Sequence, residues 1–264
     1  MIFPLLGMGT WGMGGKYERD ERNADESVEI LSYGFDLGLT LVDVAELYGA
    51  GLTETIVGRS LKGRRREDIR IVTKVYKNHL HFDDVLRAAE GSLTRLNTAY
   101  IDLYIIHWPN PDVPLQETMR ALEALVERGL VRAIGVSNFS VPLLTDALSH
   151  LKNTTLSANE IEYNLSSRDA EKEVLQFCKK NNIHVIASRP FAKGALLSGV
   201  YDAMSTLAAK YGKTPAQIAL NWIIRQNITA IPKTGSKEHL RENAGAVGWS
   251  LTEKDAQLLQ NAYS

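Results

Sequence analysis

With a single cysteine, Cys178, among 264 residues, the chain can form no internal disulfide, which agrees with a reducing compartment. It lacks any uninterrupted apolar run of about 18 residues, so no membrane span is expected. Residues 1–6 carry neither a basic start nor a long apolar stretch and do not read as a secretory signal; the cytoplasm is the expected location. Charge of neither sign predominates, since 30 basic residues face 31 acidic ones. That balance lacks the electrostatic footprint of a nucleic-acid or membrane partner. The one tight basic run, Arg64-Arg65-Arg66, is followed by Glu67 and Asp68 and reads as a solvated turn. No Pro/Gly/Ser-rich linker or low-complexity tract divides the chain, so residues 1–264 are expected to form one domain.

What is present is alternation. Short apolar or β-branched runs at 5–9, 40–44, 69–75, 101–107, 133–137, 156–160, 184–188 and 228–232 are separated by amphipathic stretches. The latter lie at 24–37, 53–61, 82–95, 115–128, 140–150, 169–181, 202–226 and 236–243, with a last one near 252–262. Ser140-Val141-Pro142, Thr214-Pro215 and Thr252-Glu253 each place a hydroxyl before proline or an early acid, the chemistry of a helix start. Eight successive βα units predict an α/β fold, a closed (β/α)8 TIM barrel. Gly7-Met8-Gly9-Thr10-Trp11-Gly12 satisfies GxGxxG, but Met13-Gly14-Gly15 follow where a dinucleotide-binding turn would open a helix. These glycines are expected in a loop at the barrel mouth.

Functional groups of such barrels stand at the carboxyl ends of the strands. Asp43 sits in Leu41-Val42-Asp43-Val44 and Lys74 in Val72-Thr73-Lys74-Val75, one run further on. Either charge buried alone would be costly, so the two are expected to pair. Tyr48 follows Asp43 in a loop, and His107 ends the fourth run in Ile105-Ile106-His107-Trp108. A free phenol has a pKa of about 10; a buried ammonium beside it would depress that value and make Tyr48 a usable proton donor. Asp43 would hold Lys74, and His107 would position a substrate carbonyl.

At these four residues the chain resembles the aldo-keto reductase family. The similarity continues through Gly9-Thr10-Trp11, Gly135-Val136-Ser137-Asn138-Phe139, Asn159-Glu160-Ile161-Glu162-Tyr163 and Ile231-Pro232-Lys233-Thr234-Gly235, and on to Glu242-Asn243. The resemblance implies an oxidoreductase that moves hydride from NADPH, or less often NADH, to a small aldehyde or ketone without a metal, acting as a monomer. It assigns Asp43, Tyr48, Lys74 and His107 to catalysis. It gives Gly9, Thr10, Trp11, Asp43, Ser137, Asn138 and Glu160 to the nicotinamide half of the cofactor. Ser188, Arg189, Pro190, Phe191 and Lys193 form a loop across it, and Lys233, Thr234, Gly235, His239, Glu242 and Asn243 surround the adenosine end. Trp11, Tyr48, Tyr76, His107 and Trp108 are expected to line the substrate pocket.

Three departures stand out. Glu160 replaces the family's usual Gln, and an ionised carboxylate there could accept from a carboxamide but not donate to it. Ser188 stands where many members stack an aromatic ring; Arg189 either supplies a planar guanidinium instead or only lines the loop. His239 replaces an arginine that often meets the 2′-phosphate, with Arg241 nearby. The short segment before Gly7 and the early chain end lead to an expected open, poorly selective substrate site. Two other functions compete: a nucleotide-sensing regulatory subunit on the same barrel, and a metal-dependent hydrolase using His79, His81 and His107.

Overall fold

A computed structural model describes residues 2–198 and 202–263. Among these, eight parallel strands follow one another around one sheet in chain order. They are β1 Met8–Gly9, β2 Leu41–Asp43, β3 Arg70–Val75, β4 Ile101–Ile106, β5 Val131–Ser137, β6 Leu156–Glu162, β7 His184–Ser188 and β8 Thr229–Ala230. Parallel bridges Leu6↔Ala230 and Gly9↔Lys233 join the last strand to the first and close the barrel. β1 and β8 are shorter than the apolar runs that announce them. Pro232 has no N–H to donate, yet its carbonyl still accepts from Gly9 N, and Ala230 accepts from Gly7 N. Gly9 is required by this closure, because a Cβ there would lie 2.8 Å from the Ile231 carbonyl oxygen.

Around the sheet run α1 Ala24–Asp36, α2 Leu52–Ser60, α3 Phe82–Leu96, α4 Leu115–Glu127, α5 Val141–Ser149, α6 Val174–Lys180, α7 Ala195–Ser198, α8 Asp202–Tyr211, α9 Pro215–Ile224, α10 Lys237–Ala244 and α11 Glu253–Ala262. The stretch expected as one helix over 202–226 is two. Gly212 turns left-handed at φ 60, and Thr214 restarts the chain with a reciprocal cap to Gln217 ahead of Pro215. The stretch 169–181 likewise opens as a 3-10 turn, Asp169–Glu171, before α6 begins.

The barrel interior explains where chemistry can occur. Side chains two apart on a strand share a face, and the inward layer of Leu41, Val72, Leu103, Ile105, Ala133, Ala158, Ile186 and Ile231 is wholly apolar. Phe3 packs beneath it and stacks on His184, ring centroids 4.3 Å apart, covering the floor. Two residues beyond Leu41, Val72, Ile105, Ala158 and Ile186, the same faces present Asp43, Lys74, His107, Glu160 and Ser188. β5 reaches Ser137 after Gly135. The inward pattern thus switches from apolar to polar at the carboxyl mouth.

Candidate active site

Beneath the mouth lies a three-membered charge cluster. Lys74 is wholly buried; its Nζ donates to both Asp43 carboxyl oxygens at 2.6 Å and to the Val44 carbonyl at 3.1 Å. Glu160, 5% exposed, brings Oε2 to 3.4 Å from the same Nζ. Oε2 accepts no well-aligned hydrogen bond among the described residues, and the Asp43 and Glu160 carboxyls lie close enough for one to donate to the other when either is protonated. Two carboxyls therefore compete for one ammonium. Burial presses the Asp43 pKa upward as well, but its two short contacts from Lys74 favour the charged form more than the single 3.4 Å approach does for Glu160. Burial first, and then the Asp43 charge, pushes Glu160 up to about 8 against the pull of Lys74. That upward push favours the neutral form of Glu160, which can donate as well as accept, whereas the ionised carboxylate can only accept.

Tyr48 begins a 3-10 turn, Tyr48–Gly51, in which Gly49 and Ala50 are left-handed. The turn is locked to the glycine loop: Gly49 N donates to Lys16 O at 2.8 Å, and a Cβ on Gly49 would collide with Gly14 O. The Tyr48 ring meets Trp11 at 4.9 Å and His107 at 5.6 Å, edge to face in both cases, with Lys74 Nζ 5.3 Å from its centroid. Burial holds the phenol well above its ordinary pKa, and Lys74 pulls the other way without prevailing. The expected net depression is therefore absent. Burial, helped by Lys74, pushes His107 down to about 3, leaving a neutral ring. Its Nδ1 is buried without a hydrogen-bond partner among the described residues. Asn138, left-handed at φ 63, donates from Nδ2 to His107 O at 3.2 Å and to Ser137 Oγ at 2.9 Å.

These groups open into a cleft of about 880 Å³. Gly9, Thr10, Trp11, Asp43, Tyr48, His107 and Trp108 line it, with Ser137, Asn138 and Glu160. Ser188, Arg189, Pro190, Phe191, Lys193, Lys233, Thr234, His239, Glu242 and Asn243 continue the wall. Lys74 lies below the surface as a support. Tyr76 is not part of the wall: β3 ends at Val75, the next backbone N–H is fixed by Glu46 Oε1, and the Tyr76 ring stands 6.4 Å from His107. Gly235 is also outside it, beside Lys233. Arg189 adopts φ 50 and donates to Glu162 Oε2 at 2.5 Å, so its guanidinium is committed to a carboxylate at the rim. Arg241 donates to Tyr33 Oη at 2.7 Å and 3.0 Å, away from the cleft. Lys233 Nζ and Lys193 Nζ make no ion pair among the described residues.

Sequence reasoning missed Lys16, Tyr17, Leu47, Glu162 and Leu197, which also line the cleft. Tyr17 is 64% exposed and its ring stands 5.1 Å from Trp11. The signal was the run of glycines before it, which folds that loop back over the mouth. His79 and His81 pair with Glu46 and Glu117, so they do not converge with His107 as a metal hydrolase would require. Among the described residues no helix is long and apolar enough to cross a membrane.

Comparison with known proteins agrees with this geometry. The profile of the aldo/keto reductase family matches residues 5–264. Methylglyoxal reductase YeaE of Escherichia coli (strain K12) is 34% identical over 264 residues, covering 98% of this chain and 91% of that protein. Among solved structures, the thermostable aldo-keto reductase Tm1743 bound to the inhibitor epalrestat is 41% identical, with a TM-score of 0.93 over 98% of this chain and 95% of that one. An aldo/keto reductase from Klebsiella pneumoniae in complex with NADP and acetate is 36% identical, with a TM-score of 0.89 over 98% and 92% of the two chains.

Proposed function

The chain belongs to the aldo/keto reductase family, and from that premise we propose that it reduces a small aldehyde or ketone with NADPH, Tyr48 giving the proton. The observation that carries this assignment is the contrast between Tyr48 and His107. The phenol keeps its proton at neutrality, whereas His107 is a neutral ring with nothing acidic to give. Tyr48 protonates the carbonyl oxygen as charge develops on it, and the Lys74 ammonium stabilises the phenolate left behind. Asp43 holds Lys74 in place. His107 aims a ring N–H at the carbonyl and fixes its angle.

The cleft suits a dinucleotide in volume and in chemistry. Lys233, free of carboxylates among the described residues, supplies positive charge for a phosphate, and His239 lies beside it on the cleft wall near the start of α10. Ser137, Asn138 and Glu160 offer amide-like partners to a carboxamide. NADPH supplies the hydride when bound; NADH is the alternative cofactor. The NADP held by the Klebsiella relative supports the choice, and the name of the Escherichia coli relative supports a small dicarbonyl such as methylglyoxal as first substrate to try. The cleft is complete within one chain, so we take a monomer of one domain in the cytoplasm as the working form. Tyr48→Phe should lower turnover of NADPH with methylglyoxal by about 10² or more while NADPH affinity, read by fluorescence, stays near wild type. Near wild-type turnover would exclude Tyr48 as the acid; tight nucleotide binding without turnover in the wild type would favour a nucleotide sensor.

A further inference from the structure

The position of Glu160 has a consequence that depends on the cofactor assignment above and reaches beyond it. Its carboxyl is nine-tenths buried, its Oε2 accepts no hydrogen bond among the described residues, and it lies on the cleft wall beside the Asp43 carboxyl and the one ammonium the two share. For hydride to reach a carbonyl whose oxygen Tyr48 protonates, the nicotinamide ring must stand about 3 to 3.5 Å from that carbon. A ring so placed would lie at the part of the cleft that this cluster underlies, where burial strengthens any charge interaction. The ring is neutral when reduced and cationic when oxidised.

We infer that Glu160 discriminates between the two redox states of the cofactor: it keeps its proton under the neutral reduced ring and releases it to solvent when the cationic oxidised ring binds. Neutral Glu160 donates its O–H and accepts at its other oxygen, so it meets a carboxamide as Gln would. Ionised Glu160 loses the donor and gains a negative charge, which favours the cationic ring and leaves the neutral one without that bond.

The groups facing Glu160 are few. Asp43 and Lys74 come from β2 and β3, Tyr48 from the loop after β2, and His107, neutral, from the end of β4. β5 presents only Ser137 and Asn138; on the β7 side Arg189 is already paired with Glu162, and Lys233 is the charge beside β8. Asp43 is held by two 2.6 Å contacts, and Lys74 is held strongly protonated. Glu160, 3.4 Å from the ammonium that Asp43 meets at 2.6 Å, is the carboxyl in this set biased toward its neutral form.

The test is titration of the whole protein with NADPH and with NADP⁺, followed by fluorescence and calorimetry from about pH 6 to pH 9, in wild type and Glu160→Gln. The 2′-phosphate ionises near pH 6 in both nucleotides, so it cancels in the ratio of their dissociation constants. In the wild type the ratio Kd(NADP⁺)/Kd(NADPH) should fall about tenfold across this range, the equivalent of about 1.4 kcal/mol. NADP⁺ binding near pH 7 should release a substantial fraction of a proton, measured from the buffer dependence of the binding heat, while NADPH releases none through this group. Glu160→Gln should bind both nucleotides with a flat ratio and no such release. A flat ratio in the wild type, or the same slope in Glu160→Gln, would overturn the inference while leaving the cofactor assignment standing. Failure of the wild type to bind either nucleotide would overturn the cofactor assignment, and the inference with it.

Discussion

Replacing Lys74 by methionine removes the cation and keeps much of the side-chain volume, and two separable losses should follow. The first is stability. Asp43 would be left buried with both oxygens stripped of their 2.6 Å partner. Breaking a buried pair in this way costs about 3 to 5 kcal/mol, a large share of the roughly 5 to 15 kcal/mol that holds a domain together. The second is catalysis. With Nζ 5.3 Å from the centre of the Tyr48 ring and an effective dielectric of about 20, the attraction for a phenolate is about 3 kcal/mol, or roughly 10² in rate if expressed fully in the transition state. Lys74→Met/Asp43→Asn separates them, because it removes the stranded charge but not the need for a cation. The double variant should regain most of its resistance to urea while turnover stays about 10² below wild type. The alkaline limb of its reduction profile, where Tyr48 must hold its proton, should move to higher pH. If the double variant recovered both stability and turnover, Lys74 would be a counter-charge for Asp43 and nothing more.

Lys233→Ala should weaken NADPH much more than NADH, since only NADPH carries the phosphate that an unpaired lysine would meet; equal weakening in paired titrations would reject phosphate recognition by this side chain. Glu160→Gln should resist urea better than wild type, increasingly so as pH rises. Between its ordinary value of 4.5 and about 8 the folded Glu160 keeps a proton that the unfolded chain has lost, so each pH unit in that window costs the wild type up to about 1.4 kcal/mol. For His184 the sign is opposite. Burial pushes the ring down to about 4 from 6.5, so the unfolded chain alone takes up a proton as pH falls through that range, and stability is lost toward acid; His184→Gln should flatten that slope in urea midpoints at pH 7 and pH 5.

The periodic part of the architecture was legible because it is written in short-range pattern. Eight apolar runs became eight strands, and the polar residues that end them became the cleft floor, since alternation along a strand fixes facing. Asp43 and Lys74 could be paired from sequence because each lies mid-run and neither charge tolerates burial alone. Failures arose where a residue sits just past a strand. Tyr76 leaves the period-two pattern at once, and Gly235 lies in a turn whose direction is set by the Ser236 cap of α10. Arg241 is one position away from a cleft residue, but on a helix that rotates it onto Tyr33. The break between α8 and α9 was announced by Thr214-Pro215, yet apolar periodicity ran across it and masked Gly212.

The upward bias on the Glu160 carboxyl was illegible for a different reason. It belongs to no local pattern, but to the meeting of three strands around one Nζ, and the outcome depends on distances of 2.6 Å and 3.4 Å that alternation cannot specify. The same meeting bears on why the cluster exists. Well-packed hydrophobic residues often replace a buried ionic group without loss of stability, and the layer immediately below is built from them. A second carboxyl beside Asp43 then adds a charge conflict that grows as pH rises. Two features of the site draw on this arrangement. Under the proposed function, Lys74, held cationic by Asp43, stabilises a Tyr48 phenolate, and Glu160, denied the best contacts by Asp43, is biased toward its neutral form at the cleft wall. The departure at position 160 is therefore not independent of the tyrosine. Asp43→Asn removes a negative charge that raises both neighbours, so it should lower the affinity of Glu160 and of Tyr48 for their protons together, and the pH profiles of nucleotide binding and of reduction should both move to lower pH in the same variant.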